Sequence, residues 1–143
     1  MHDAGDAMSE APGVARWWPR RGTDVSVCAA ARAWVLAALP HLLARPAEGR
    51  LRDNVELLVS ELTANALLHA GGVEYIDLYC TGSVLRICVH DQVSTPAVAR
   101  HAPPDEAEHG RGLLLVDALA ARWGVEEHPG AGKDVWLELP IDR

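Results

Sequence analysis

The stretch Leu51 to Ala70, LRDNVELLVSELTANALLHA, constrains the chain most. Its apolar residues Leu51, Val55, Leu58, Val59, Leu62 and Ala66 fall on one stripe of a helical period, which demands a second layer to cover it. Beside the stripe stand Glu61, Asn65 and His69, spaced so that they stack along one edge about 6 Å apart in axial rise. A carboxylate, an amide and an imidazole then line one flank of a buried helix. Alone, the same residues also read as a solvated Glu and a polar helix end.

The rest of the chain supplies the second layer. Val73–Cys80 alternates, with Ile76, Leu78 and Cys80 on one face and Tyr75, Asp77 and Tyr79 on the other. After the turn Thr81-Gly82-Ser83, Val84–Asp91 places Leu85, Ile87 and Val89 inward, and by the same parity Asp91 as well. An inward carboxylate is costly without a donor, so Asp91 either has a partner or caps the next turn. Upstream, Thr23 or Asp24 can cap a first helix running to about Leu39, with Val27, Ala31, Trp34, Val35 and Ala38 as its buried side. Pro40 to Gly49 separates it from the second helix, which should stop at Gly71-Gly72.

Downstream, Gln92 to His109 has no period and carries Pro96, Pro103 and Pro104, as a lid or binding loop does. Gly110-Arg111-Gly112 follows, then the apolar run LLLVDALAA, so glycines open a helix whose free N–H groups and dipole suit an anion such as phosphate, or simply form a tight turn. Arg111 offers that anion a forked donor. Leu113–Arg122 reads as a helix under a sheet, and Trp123–His128 and Lys133–Leu139 as a hairpin around Pro129-Gly130-Ala131-Gly132. Met1–Gly13 has no period and reads as a disordered tail, followed by a short strand Val14–Trp18 whose paired tryptophans either pack or meet a partner. The expected division is a flexible extension over 1–22 and one domain over 23–143. The order of elements predicts an α+β fold: a two-layer sandwich, with a mixed, mostly antiparallel sheet and helices on one face.

Charge narrows the function. Asp and Glu number 20 against 13 Lys and Arg, a formal net charge of −7, so direct nucleic-acid binding and anionic-membrane binding are not expected. The three cysteines, Cys28, Cys80 and Cys88, form no CxxC and no zinc-ligand spacing, consistent with reduced thiols. No apolar run is long enough for a span and the first residues lack a signal core, so the expectation is a cytoplasmic protein.

Taken together, Glu61-Leu62-Thr63-Ala64-Asn65-Ala66 with His69-Ala70, Val89-His90-Asp91 with Pro96, Gly110-Arg111-Gly112-Leu113 and Gly132-Lys133-Asp134-Val135-Trp136 resemble the GHKL (Bergerat-fold) ATPase superfamily. Within it the chain looks like the stand-alone anti-sigma-factor serine kinases, in the short form common in actinobacteria. The resemblance covers about Thr23 to Pro140. It implies ATP and Mg²⁺ as cofactors, with Asn65 as metal ligand through its amide oxygen and Glu61 as general base on a protein serine or on water. It further implies that Asp91 accepts from the adenine amino group, that 92–109 with Pro96 covers the nucleotide, and that Gly110, Arg111, Gly112 and Leu113 cradle phosphates. His69 is a candidate at the edge of the pocket. The implied partners are a sigma factor, an anti-anti-sigma factor or both, with the chain as a homodimer.

Two positions depart from the family pattern. Gln92-Val93-Ser94-Thr95 lacks the small residue usual after the Asp. Asp134 stands where threonine is usual: in the pocket, it would repel Asp91. If strand parity sends Val135, Leu137 and Leu139 inward, Asp134 faces away. These departures keep a second class open, a GHKL-fold binding module without catalysis. A third, the ATPase half of a sensor kinase, is disfavoured by length and by the lack of a preceding helix pair with a phosphoacceptor histidine.

Overall fold

A computed structural model describes residues 7–11, 13–92 and 115–141 of the chain. The elements are β1 (Ala7–Ala11), β2 (Val14–Trp18), α1 (Val27–Leu43), α2 (Gly49–Ala70), β3 (Tyr75–Thr81), β4 (Val84–Asp91), β5 (Arg122–Glu127) and β6 (Lys133–Pro140). Residues 115–119 are also helical. The strands form one six-stranded sheet in the order β1-β2-β3-β4-β6-β5, and every pairing among the described strands is antiparallel. The helices α1 and α2 pack on each other and on β2, β3 and β4. This is the expected α+β sandwich.

The core lies where the two expected apolar faces meet. Val55, Leu58, Val59 and Leu62 of α2 are buried with Ile76 and Leu78 of β3, Leu85, Ile87 and Val89 of β4, and Leu137 and Leu139 of β6. Each such side chain contributes about 1.5–3 kcal/mol of transfer free energy. The tryptophan pair divides between faces: Trp17 enters the core and stacks on Trp34 at 5.7 Å, while its neighbour Trp18 tilts against Tyr75. The cap of α1 differs from expectation: the N-cap is Ser26, which makes no side-chain cap bond, while Asp24 accepts the Ser26 backbone N–H at 2.9 Å in the preceding turn and lies below the usual carboxylate range chiefly because of that bond.

Several boundaries differ from expectation: of the helix expected over 113–122, residues 115–119 are helical among the described residues, and Arg122 already belongs to β5. α1 runs through Pro40 to Leu43, and ends where Ala44 adopts a left-handed conformation. A proline removes one helical bond, but Leu39 is fully buried and Leu42 and Leu43 pack against the core, so apolar burial carries the helix past it. At the N-terminus, the region read as an unstructured tail contains β1, paired along its length with β2. Backbone ladder bonds, which need no side-chain period, account for an element that pattern reading passed over.

Candidate functional site

Strand parity on β4 decides the site. Leu85, Ile87, Val89 and Asp91 share the helix-facing side, and Asp91 is only 2% exposed. Its carboxylate Oδ2 accepts a hydrogen bond from Lys133 Nζ at 2.8 Å, across the β4–β6 rung that pairs the two residues. The partner that an inward carboxylate requires is therefore a lysine one residue into β6.

Gly132 fixes that rung. Its φ is +86°, and a Cβ there would come within 1.8 Å of the Asp91 carbonyl oxygen. Only glycine lets the β5–β6 turn approach the end of β4 so closely.

The end of α2 lies at the same end of the sheet. α2 closes at Ala70, with Gly71 in the left-handed conformation, and the chain enters β3 at Tyr75, which pairs with His90 beside Asp91. Glu61, Asn65 and His69 occupy the last three turns of this helix and are all half-buried. Between them, Thr63 is fully buried and satisfies its hydroxyl on the Val59 carbonyl at 2.8 Å, within the helix. Pro96, Gly110, Arg111, Gly112 and Leu113 lie outside the described residues.

Asp134 is not beside Asp91. It pairs with His90 across β4 and β6, on the face of the sheet opposite to Val135, Leu137 and Leu139. There one carboxylate oxygen meets His90 Nδ1 and the other lies 3.0 Å from His128 Nε2. Burial pushes the Asp134 carboxyl up, but hydrogen bonding with His128 and His90 outweighs it and holds the group below the usual carboxylate range. His128 is raised in turn, chiefly by its hydrogen bond with Asp134. Of the two alternatives that the sequence leaves for Asp134, the structure has the second: it faces away from Asp91. The residue that sequence reading missed there is Lys133, and the alternation of Lys133 with Val135, Leu137 and Leu139 is the signal that identifies it.

The open face carries a second polar system. Arg16 Nε and Nη2 donate to the two oxygens of buried Asp77 at 2.5 and 2.8 Å, and Tyr79 donates to the same carboxylate at 3.1 Å. The forked contact raises the Arg16 guanidinium above its ordinary range, its hydrogen bond with Asp77 being the main cause. Arg86 lies over the Trp136 ring at 4.0 Å. Among the described residues no helix is long and apolar enough to cross a membrane.

Residues 24–139 match the model of the histidine kinase-like ATPase domain. No curated protein matches the chain. The matched span runs from the turn before α1 to the penultimate residue of β6 and contains the α2 edge, Asp91 and Lys133; β1 and β2 lie outside it. A buried strand-end carboxylate, a glycine-supported rung behind it and a polar helix edge at the same end of an antiparallel sheet agree with that match, and the chain belongs to the histidine kinase-like ATPase domain family, within the GHKL-type ATPases.

Proposed function

We propose that the chain is an ATP-binding anti-sigma regulatory factor with protein-serine kinase activity toward an anti-anti-sigma antagonist, acting as a cytoplasmic homodimer. The observation that carries this reading is the placement of Glu61 and Asn65 on successive turns of α2, at the end of the sheet where Asp91 is buried. The residues fit a magnesium nucleotide at both ends of that edge. Asp91 is an anionic acceptor for the adenine amino group, and Asn65 carries an amide oxygen of the kind a hard cation takes. Bound Mg²⁺–ATP supplies the transferable phosphoryl group and the charge that neutralises it.

The chain's own groups do the rest by position. Glu61, one turn before Asn65, accepts the proton of the attacking serine hydroxyl. Gly110, Arg111, Gly112 and Leu113 supply backbone N–H groups and a guanidinium to phosphate oxygens, and Pro96 belongs to the segment that excludes water. His69 contributes an imidazole at the edge of the pocket. Glu61→Ala should lower transfer of labelled phosphate to the antagonist by about 100-fold or more, while leaving folding and antagonist binding intact. Wild-type transfer by this variant would remove Glu61 from the role of base.

One observation favours a second reading, a protein-binding module with weak or no catalysis. The Asp91 carboxylate is already held by an ammonium group, and Lys133 has to share or release it before a base can be bound through it. A chain of this second kind would bind its antagonist or sigma factor equally well with and without ATP.

A further inference from the structure

The open face of the sheet carries a group of side chains that the nucleotide site does not use. His90 and Asp134 are cross-strand partners on β4 and β6, and alternate with Asp91 and Lys133, so they lie on the opposite side of the sheet. His128 joins them from the end of β5. Its backbone N–H donates to the Gly132 carbonyl at 2.8 Å and its carbonyl accepts from Ala131 N–H at 2.7 Å, so the turn that presents it is closed on itself. One ring nitrogen from each histidine and a carboxylate oxygen of Asp134 lie within 4.8 Å of one another.

The buried ring of His90 faces oxygen from both nitrogens. Its Nε2 is 3.1 Å from the Ala131 carbonyl and 3.2 Å from Glu74 Oε1, and its Nδ1 meets Asp134 Oδ1. A neutral imidazole carries one N–H and one lone pair. In the tautomer that donates Nε2–H to the Ala131 carbonyl, the Nδ1 lone pair is turned toward the Asp134 carboxylate, an arrangement that a cation held between the two satisfies. A second imidazole, from His128, bears on the other oxygen of the same carboxylate. One dication among the three groups satisfies both ring nitrogens and the carboxylate together.

We propose that His90 Nδ1, His128 Nε2 and Asp134 form a binding site for a divalent transition-metal ion of the zinc class. Two imidazoles and one carboxylate are a borderline donor set suited to Zn²⁺ or Co²⁺, and unlike the oxygen sets that Mg²⁺ takes. The Ala131 carbonyl and Glu74 carboxylate behind Nε2 are the outer-shell acceptors that fix the tautomer of a metal-bound histidine. Tyr75 stacks on the His90 ring at 4.4 Å and 4°, which restrains it further. His90 and His128 border an open cleft of about 730 Å³, also lined by Glu74, Gln92 and Gly130, through which an ion would enter and a water complete the coordination. The ion ties β4, β6 and the β5–β6 turn together, directly behind the rung that carries Lys133 and Asp91.

The test is calorimetric titration of the metal-stripped full-length chain with ZnCl₂, paired with Co²⁺ absorption spectra. The expected result is a saturable high-affinity site and a Co²⁺ spectrum typical of low coordination number. Excess Mg²⁺ should not displace the ion. His128→Ala, which alters a partly exposed side chain, and Asp134→Asn should each weaken Zn²⁺ binding about tenfold or more. Circular dichroism confirms that each variant is folded. No saturable binding, or equal affinity in wild type and folded His128→Ala, overturns the proposal, since ions held elsewhere would be indifferent to His128. Neither result bears on ATP binding, which is read separately with Asn65→Ala.

Discussion

Lys133 on β6 donates to the buried carboxylate of Asp91 on β4 at 2.8 Å, across one rung of an antiparallel ladder. Both side chains are largely withdrawn from water, at 12% and 2% exposure, so the ion pair is a buried one. Breaking such a pair on one side leaves an uncompensated charge. Lys133→Met should therefore destabilise the protein by about 3 kcal/mol in urea unfolding, and more than Lys133→Met does in an Asp91→Asn background. Equal costs in both backgrounds would show that the two residues are not coupled.

Gly132 makes that rung possible. Gly132→Ala combines a strained positive φ with a Cβ in collision with the Asp91 backbone, and should lower stability by about 2 kcal/mol or more. Gly130→Ala is the internal control: its φ is also positive, at +79°, but a Cβ there meets nothing within 4 Å. Thermal unfolding of the two variants should rank Gly132→Ala well below Gly130→Ala.

On the other face, Arg16 gives buried Asp77 two hydrogen bonds. Because the arginine is itself 37% exposed, solvent moderates the pair, and Arg16→Ala should cost about 1–2 kcal/mol by chemical denaturation. β2 lies outside the family match, so this contact also measures how firmly the added strand is held to β3.

Burial pushes the Cys88 thiol far above its ordinary value of 9.0, with the nearby Asp134 and Asp77 carboxylates adding to the shift. A folded-state pKa above the unfolded one means that the folded protein holds its proton longer, so stability from this group is intact below pH 9 and falls as pH rises above it. Between pH 9 and 10 the stability of the wild type should fall with pH more steeply than that of Cys88→Ala, by up to about 1.4 kcal/mol per pH unit. At pH 8.5 an alkylating reagent should modify half-buried Cys28 and Cys80 before Cys88. Parallel slopes, or Cys88 reacting first, would contradict the burial argument.

Where side-chain period and structural role coincide, the sequence is sufficient: the α2 stripe, the alternation of β3 and β4, and inward Asp91 all follow from it. It falls short where the deciding quantity is tertiary. Pro40 stops an isolated helix, but core contacts of Leu39, Leu42 and Leu43 carry α1 through it. β1 is held by ladder bonds to β2, for which no pattern is required. At the end of β4, the family position falls on Asp134, while parity on β6 places Lys133, not Asp134, beside Asp91. The His90–His128–Asp134 group was invisible because its members lie on two strands and a turn that register alone brings together.

If the α2 edge and Asp91 form one nucleotide site, as proposed, titration calorimetry of the chain with Mg²⁺–ATP reads it out. Saturable binding is expected for the wild type, with losses of about tenfold or more in folded Asn65→Ala and Asp91→Asn, each of which removes a charge or ligand from one end of the site. Absence of binding by the wild type, or unchanged affinity in both variants, would contradict the account.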